Sequence, residues 1–195
     1  MSTRVHAIIV CALFAAAAPS RAGTIKGTVK GPGGRSAAEA VVRLGEIPGK
    51  TFAPPSAHAK IDQKDMVFIP HVLAVLVGTT VDFLNSDALL HNVFTPDKCA
   101  EKFNLGSWPQ GEVRSYTFKQ PCVVTLLCNV HPEMEAFVVV AATPYFAVAD
   151  KSGAYVIPNV PDGTYDISVW HPKLKELSQK ITVAGETVSD FELKR

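Results

Sequence analysis

The chain has 195 residues, enough for one full domain and a second small one, or for a single domain of generous size. Its 19 Lys and Arg stand against 18 Asp and Glu, so it lacks the basic field that a polyanion requires, and nucleic acid is not expected as a partner.

Residues 1–22 read as a secretory signal. Arg4 makes a modest positive start, Ala7 to Ala18 form an apolar stretch too short to span a bilayer, and Ser20-Arg21-Ala22 is a small-x-small cleavage site. This implies a periplasmic protein that begins near Gly23 and carries no membrane span in its mature chain. Cys11 follows Val10 rather than a small residue, which argues against a lipoprotein cysteine. Cleavage would leave Cys99, Cys122 and Cys128. In an oxidising compartment an even pair tends to bridge, while the odd thiol requires another explanation. Two alternatives stay open: Cys99 bridges Cys122 and Cys128 is kept for a metal, or all three remain reduced. Spacing alone cannot place two Cβ atoms together.

Beyond the signal the pattern is all-β, with short apolar runs rich in β-branched residues and frequent Gly, Pro, Asn and Asp turns. Residues 23–47 hold two strands, Thr24 to Val29 and Ala40 to Leu44, around the Gly31-Pro32-Gly33-Gly34 turn. No helix with Lys-Ser/Thr follows those glycines, so they are turn formers and not a phosphate cradle. Residues 48–63, with Pro48, Pro54 and Pro55, read as a linker. Residues 64–142 form the main domain, with strands at 66–69, 73–77, 80–84, 114–118, 122–127 and 136–142. Residues 143–195 carry a further set of short strands, Gln179 to Val183 among them, without Cys or Met, which a separate small β-sandwich accounts for.

The chemistry concentrates in Cys128-Asn129-Val130-His131-Pro132-Glu133-Met134, directly after the apolar run Val123 to Leu127. This C-x2-H-x2-M spacing offers a thiolate, an imidazole and a thioether from one tight loop, and His91 stands upstream in Leu90-His91-Asn92-Val93. Two imidazoles and a thiolate with a weak axial thioether are the ligands of a blue-copper electron-transfer site. The expected metal set is therefore His91, Cys128, His131 and Met134, holding one copper ion that cycles between Cu(I) and Cu(II). Asn92 is placed to hydrogen-bond across to the Cys128 loop.

The residues Asn85 to Phe94 and Cys128 to Met134, with their flanking strands, resemble the cupredoxins, over about residues 60–142. The short loop is similar to that of amicyanin rather than to the longer loops of plastocyanin or azurin. The resemblance implies a Greek-key β-sandwich, type 1 copper on the four residues named, and electron exchange with a redox partner protein through the edge of His131. Two departures stand out: Val130 replaces the proline of the amicyanin loop, and Glu133 and Glu135 flank Met134, where a carboxylate competes with the thioether. Segments 23–47 and 144–195 resemble the halves of a carboxypeptidase regulatory-like, transthyretin-related β-sandwich. Together the parts look like the bacterial periplasmic proteins of methylamine-utilisation type, with the cupredoxin inserted in the smaller sandwich.

The competing readings are a copper-binding or delivery protein without a redox role, a docking module acting through the second sandwich, and an enzyme using Cys128 as nucleophile. The last leaves Met134 without a part and lacks an orienting carboxylate, so no enzyme is expected. His71 is expected to be structural, His58 to lie in the linker and His171 in a turn. Lys173, Lys175 and Lys180 read as a solvated face, and Trp108 either packs in the sandwich or joins a partner surface.

Overall fold

The computed structural model describes residues 22–195, so the expected signal at 1–22 lies almost wholly outside the described residues. In chain order the strands are β1 (Ala22–Lys30), β2 (Val41–Leu44), β3 (Ala59–Lys64), β4 (Val67–Ile69), β5 (Val72–Leu76) and β6 (Thr80–Asn85). Then come β7 (His91–Phe94), β8 (Asn104–Trp108), β9 (Val113–Thr117), β10 (Cys122–Leu127), β11 (Glu135–Ala141) and β12 (Phe146–Val148). The last are β13 (Ala154–Pro161), β14 (Gly163–His171), β15 (Leu174–Val183), β16 (Glu186–Val188) and β17 (Phe191–Glu192).

These strands make two sandwiches. One pairs the sheet β13-β1-β16, with β17 also on β1, against β12-β2-β14-β15. The other pairs β4-β3-β6-β9 against β5-β11-β10-β7-β8. The chain leaves the first sandwich after β2 and re-enters it at β12, so the second sandwich is an insertion.

Side-chain alternation explains most strands. In β6, Val81, Phe83 and Asn85 point into the inserted core while Thr80, Asp82 and Leu84 face outward. β11 is different: all of Ala136 to Ala141 are buried. Ala136, Val138 and Val140 enter the inserted core, whereas Phe137 and Val139 meet Val41 of β2 and Trp170 of β14 on the other face. A continuous apolar run is what a strand covered on both sides requires. The two sandwiches therefore share an apolar seam, in which a fully buried side chain such as Val139 contributes about 1.5–3 kcal/mol. Glu39 of the outer sandwich also pairs with His71 of the inserted one, at 2.9 Å.

Three sequence expectations shift. The segment expected as linker, 48–63, already contains strand from Ala59, where Ile61 and Gln63 turn inward and the Gln63 amide donates to the Leu84 carbonyl at 2.9 Å. A single large apolar residue leaves that strand without a visible hydrophobic pattern. β8 was not expected, and its Trp108 is fully buried, which decides for packing over partner contact. β15 starts at Leu174 and not near Gln179, because in its first half only Leu174 and Leu177 pack against the core and their spacing breaks the alternation.

Cys99 and Cys122 form a disulfide, and Cys128 is free and buried. The bridge ties the short 3-10 turn Lys98–Ala100 to the start of β10. Replacing both bridged cysteines with serine should lower stability by about 3 kcal/mol, the loop-closure value for a ring of this size. Differential scanning calorimetry should then read a midpoint lower by roughly 6–12 °C.

Candidate metal centre

The site forms at one end of the sheet β5-β11-β10-β7-β8. β7 and β10 run antiparallel with Leu127 opposite Phe94, so the chain entering β7 at His91 and the chain leaving β10 at Cys128 lie side by side. His91 also pairs with Trp108 of β8. The seven residues from Cys128 to Met134 then connect β10 to β11, and the Met134 amide closes the loop on the His131 carbonyl at 3.0 Å.

The upstream side is shaped by Asn85. Its amide nitrogen donates to the carbonyls of Leu89 and Trp108 at 2.8 and 2.9 Å, and its oxygen accepts the Asp87 amide at 2.9 Å. This holds the stretch between β6 and β7 in a fixed path. His91 is fully buried, Cys128 and Met134 nearly so, and His131 is half-buried.

Nδ1 of His91 and Nδ1 of His131 stand 3.1 Å apart, Sγ of Cys128 is 4.0 Å from Nδ1 of His131, and all three atoms lie within 4.8 Å of one another. The two imidazole nitrogens and the sulfur thus form one compact cluster of donor atoms. An ion bound by N and S donors at about 2.0–2.3 Å requires donors spaced in this range. The chemistry of the set, one soft thiolate with two imidazoles, suits copper.

Surrounding groups lock these side chains. The Asn92 backbone amide donates to the Cys128 sulfur at 3.5 Å, and the Asn92 side-chain oxygen accepts the Asn129 amide at 3.3 Å. Its nitrogen donates to Asn104 Oδ1 and the Gly106 carbonyl, both at 2.8 Å. Nε2 of His91 meets the Asp87 carboxylate at 2.7 Å. Burial works against ionisation of Asp87, but hydrogen bonds from the Met66 amide, the His91 ring and the Asp65 amide outweigh it and hold its carboxyl below the usual range. Sequence reasoning found Asn92 but missed Asp87. The signal was present in its position four residues before His91, yet Asn85-Ser86-Asp87 reads simply as a turn.

Met134 is buried in the same core cluster as Cys128, while its neighbours Glu133 and Glu135 are exposed. The loop thus turns the thioether inward and both carboxylates outward. The other described histidines take no part in this cluster, although His71 lines the same cavity as Met134. His71 pairs with Glu39, His58 with Asp82 at 2.8 Å, and His171 accepts the Lys173 amide within its turn. Lys173, expected on a solvated face, borders a cavity with Glu133, Met134 and Glu135.

Residues 55–141 match the family of copper binding proteins that includes plastocyanin and azurin. That segment is a cupredoxin domain. A second match, to domain II of polysaccharide lyase family 4, covers residues 130–190. It describes another β-sandwich than the regulatory-like one the sequence resembles, and the two agree on the architecture. Solved structures similar to the chain include a purple cupredoxin from Nitrosopumilus maritimus, 26% identical over 43% of this chain and 99% of that one, with a TM-score of 0.39. A reduced amicyanin variant is 26% identical over 52% of this chain and 98% of that one, at 0.42. A copper-containing nitrite reductase from Thermus scotoductus is 25% identical over 50% of this chain and 25% of that one, at 0.41. No significant match is found among the curated proteins. The cofactor of the cupredoxin domain is copper, on the family match and the converging donors together.

Asn92→Ala should leave the backbone contact to sulfur intact while removing the side-chain bonds to the Asn129 amide, Asn104 Oδ1 and the Gly106 carbonyl. Chemical denaturation should register a loss of about 1–3 kcal/mol, since each of the three hydrogen bonds contributes about 0.5–1.5 kcal/mol.

Proposed function

We propose that the chain is a periplasmic one-electron carrier, exported by the signal at 1–22, with copper held by His91, Cys128, His131 and an axial Met134. Copper supplies the couple between Cu(I) and Cu(II). Cys128 provides the thiolate, which the Asn92 amide stabilises by donating to it, and the two imidazoles provide neutral nitrogen. The observation that carries the reading is the convergence of both Nδ1 atoms and Sγ within 4.8 Å.

Burial and hydrogen bonding support rigid ligands, which keep reorganisation small when charge changes. His131 is the ligand nearest solvent, and exposed apolar residues lie in the same segments: Leu89 and Leu90 just before His91, and Val130 inside the loop. Such a surface suits brief docking of a redox partner protein. Among the described residues no helix is long and apolar enough to cross a membrane. The proposal is a carrier and not an enzyme.

Titrating Cu2+ into the mature protein should give one equivalent of uptake with an intense visible charge-transfer band and a reversible one-electron wave. Cys128→Ser should abolish the band. A colourless complex would contradict the proposal, and tight Cu(I) binding without a reversible wave would favour a copper-delivery role.

A further inference from the structure

β3 and β4 are joined by just two residues, Asp65 and Met66, both left-handed at φ 54° and 59°. This conformation matches the twist of a hairpin, but Asn-Gly or Gly-Gly normally makes it, because a larger side chain crowds its own backbone. Asp65 suits the first position, but Met66 stands where glycine is the rule. The compensation comes from Asp87, whose Oδ1 accepts the Asp65 amide at 2.7 Å and whose Oδ2 accepts the Met66 amide at 3.0 Å. The same Oδ2 receives Nε2 of His91 at 2.7 Å. Past the turn, Met66, Val67 and Ile69 are 44%, 50% and 47% exposed.

We propose that Asp87 is a positioning residue of the copper centre, its one carboxylate fixing the His91 ring while anchoring the Asp65-Met66 turn, so that the exposed apolar tip and the ligand behave as a single element. The inference rests on the copper reading above. A carboxylate takes the proton-bearing nitrogen of a neutral imidazole, so Nε2 holds the hydrogen and Nδ1 is left bare toward Cys128 and His131. The negative charge also makes the ring a stronger donor, which favours Cu(II) over Cu(I).

The test compares the unmodified full chain with Asp87→Asn and with the control Ser86→Ala, which removes only a contact between Ser86 Oγ and Asp62. In the copper-loaded protein, Asp87→Asn should favour Cu(I) by about tenfold, read as a midpoint potential higher by about 59 mV for a one-electron couple. In the copper-free protein, exchange of the Asp65 and Met66 amides should quicken about tenfold in Asp87→Asn, a loss of protection expected when their acceptor is weakened. Ser86→Ala should leave both readings at the parent's values. The tautomer is read without any variant, from the imidazole nitrogen shifts of His91 in the copper-free parent, which should show hydrogen on Nε2.

An unchanged potential in Asp87→Asn overturns the proposal even if amide exchange quickens, because the residue would then be merely structural. Hydrogen on Nδ1 of His91 in the parent overturns it as well, as does a control that shifts equally. A parent that takes up no copper overturns the copper reading and this proposal together, whereas the other failures leave the copper reading standing.

Discussion

The site depends on β7 and β10 lying side by side in one sheet. Their ladder is brief, with Leu127 opposite Phe94, yet it brings the start of one strand and the end of the other to the same edge of the inserted sandwich. His91 and Cys128 are 37 positions apart in the sequence and become neighbours through this pairing alone. His131 and Met134 then arrive at no further cost in chain topology, because they belong to the loop that starts at Cys128. Asn92 secures the junction from the β7 side by contacting both the sulfur and the Asn129 amide.

The sheet that carries the site is itself clamped from behind. Phe137 and Val139 of β11 fill a seam against Val41 and Trp170 of the outer sandwich. A site built on rigid elements holds its geometry better than one on free loops. The outer sandwich therefore acts physically as a backing layer, extended by the His71 to Glu39 pair and by the turn that brings Lys173 beside the cavity at Met134. Insertion of one sandwich in another makes this backing possible, since both connections cross the same seam.

Legibility in the sequence followed locality. Cys128, His131 and Met134 could be read because their chemistry sits in seven consecutive residues after an apolar strand, and His91 because it opens an apolar run after a turn. The disulfide was only half legible: the three cysteines beyond the expected signal imply one odd thiol, but nothing in their spacing chooses the pair that the fold brings together. β3 stayed hidden because its inward positions are Ile61 and Gln63, and the first half of β15 because only Leu174 and Leu177 turn to the core, three residues apart. Asp87 was missed for a related reason. Its role arises from three partners, two of them amides of a hairpin over twenty residues upstream, and backbone donors leave no mark in a sequence.

The claim at the centre is that one thiolate and two imidazoles meet at a single copper ion. X-ray absorption at the copper edge of the loaded full-length protein tests it most directly. The account predicts one close sulfur and two imidazole nitrogens, with the sulfur signal lost in Cys128→Ser. A copper environment of nitrogen and oxygen alone, unchanged by that substitution, would contradict it.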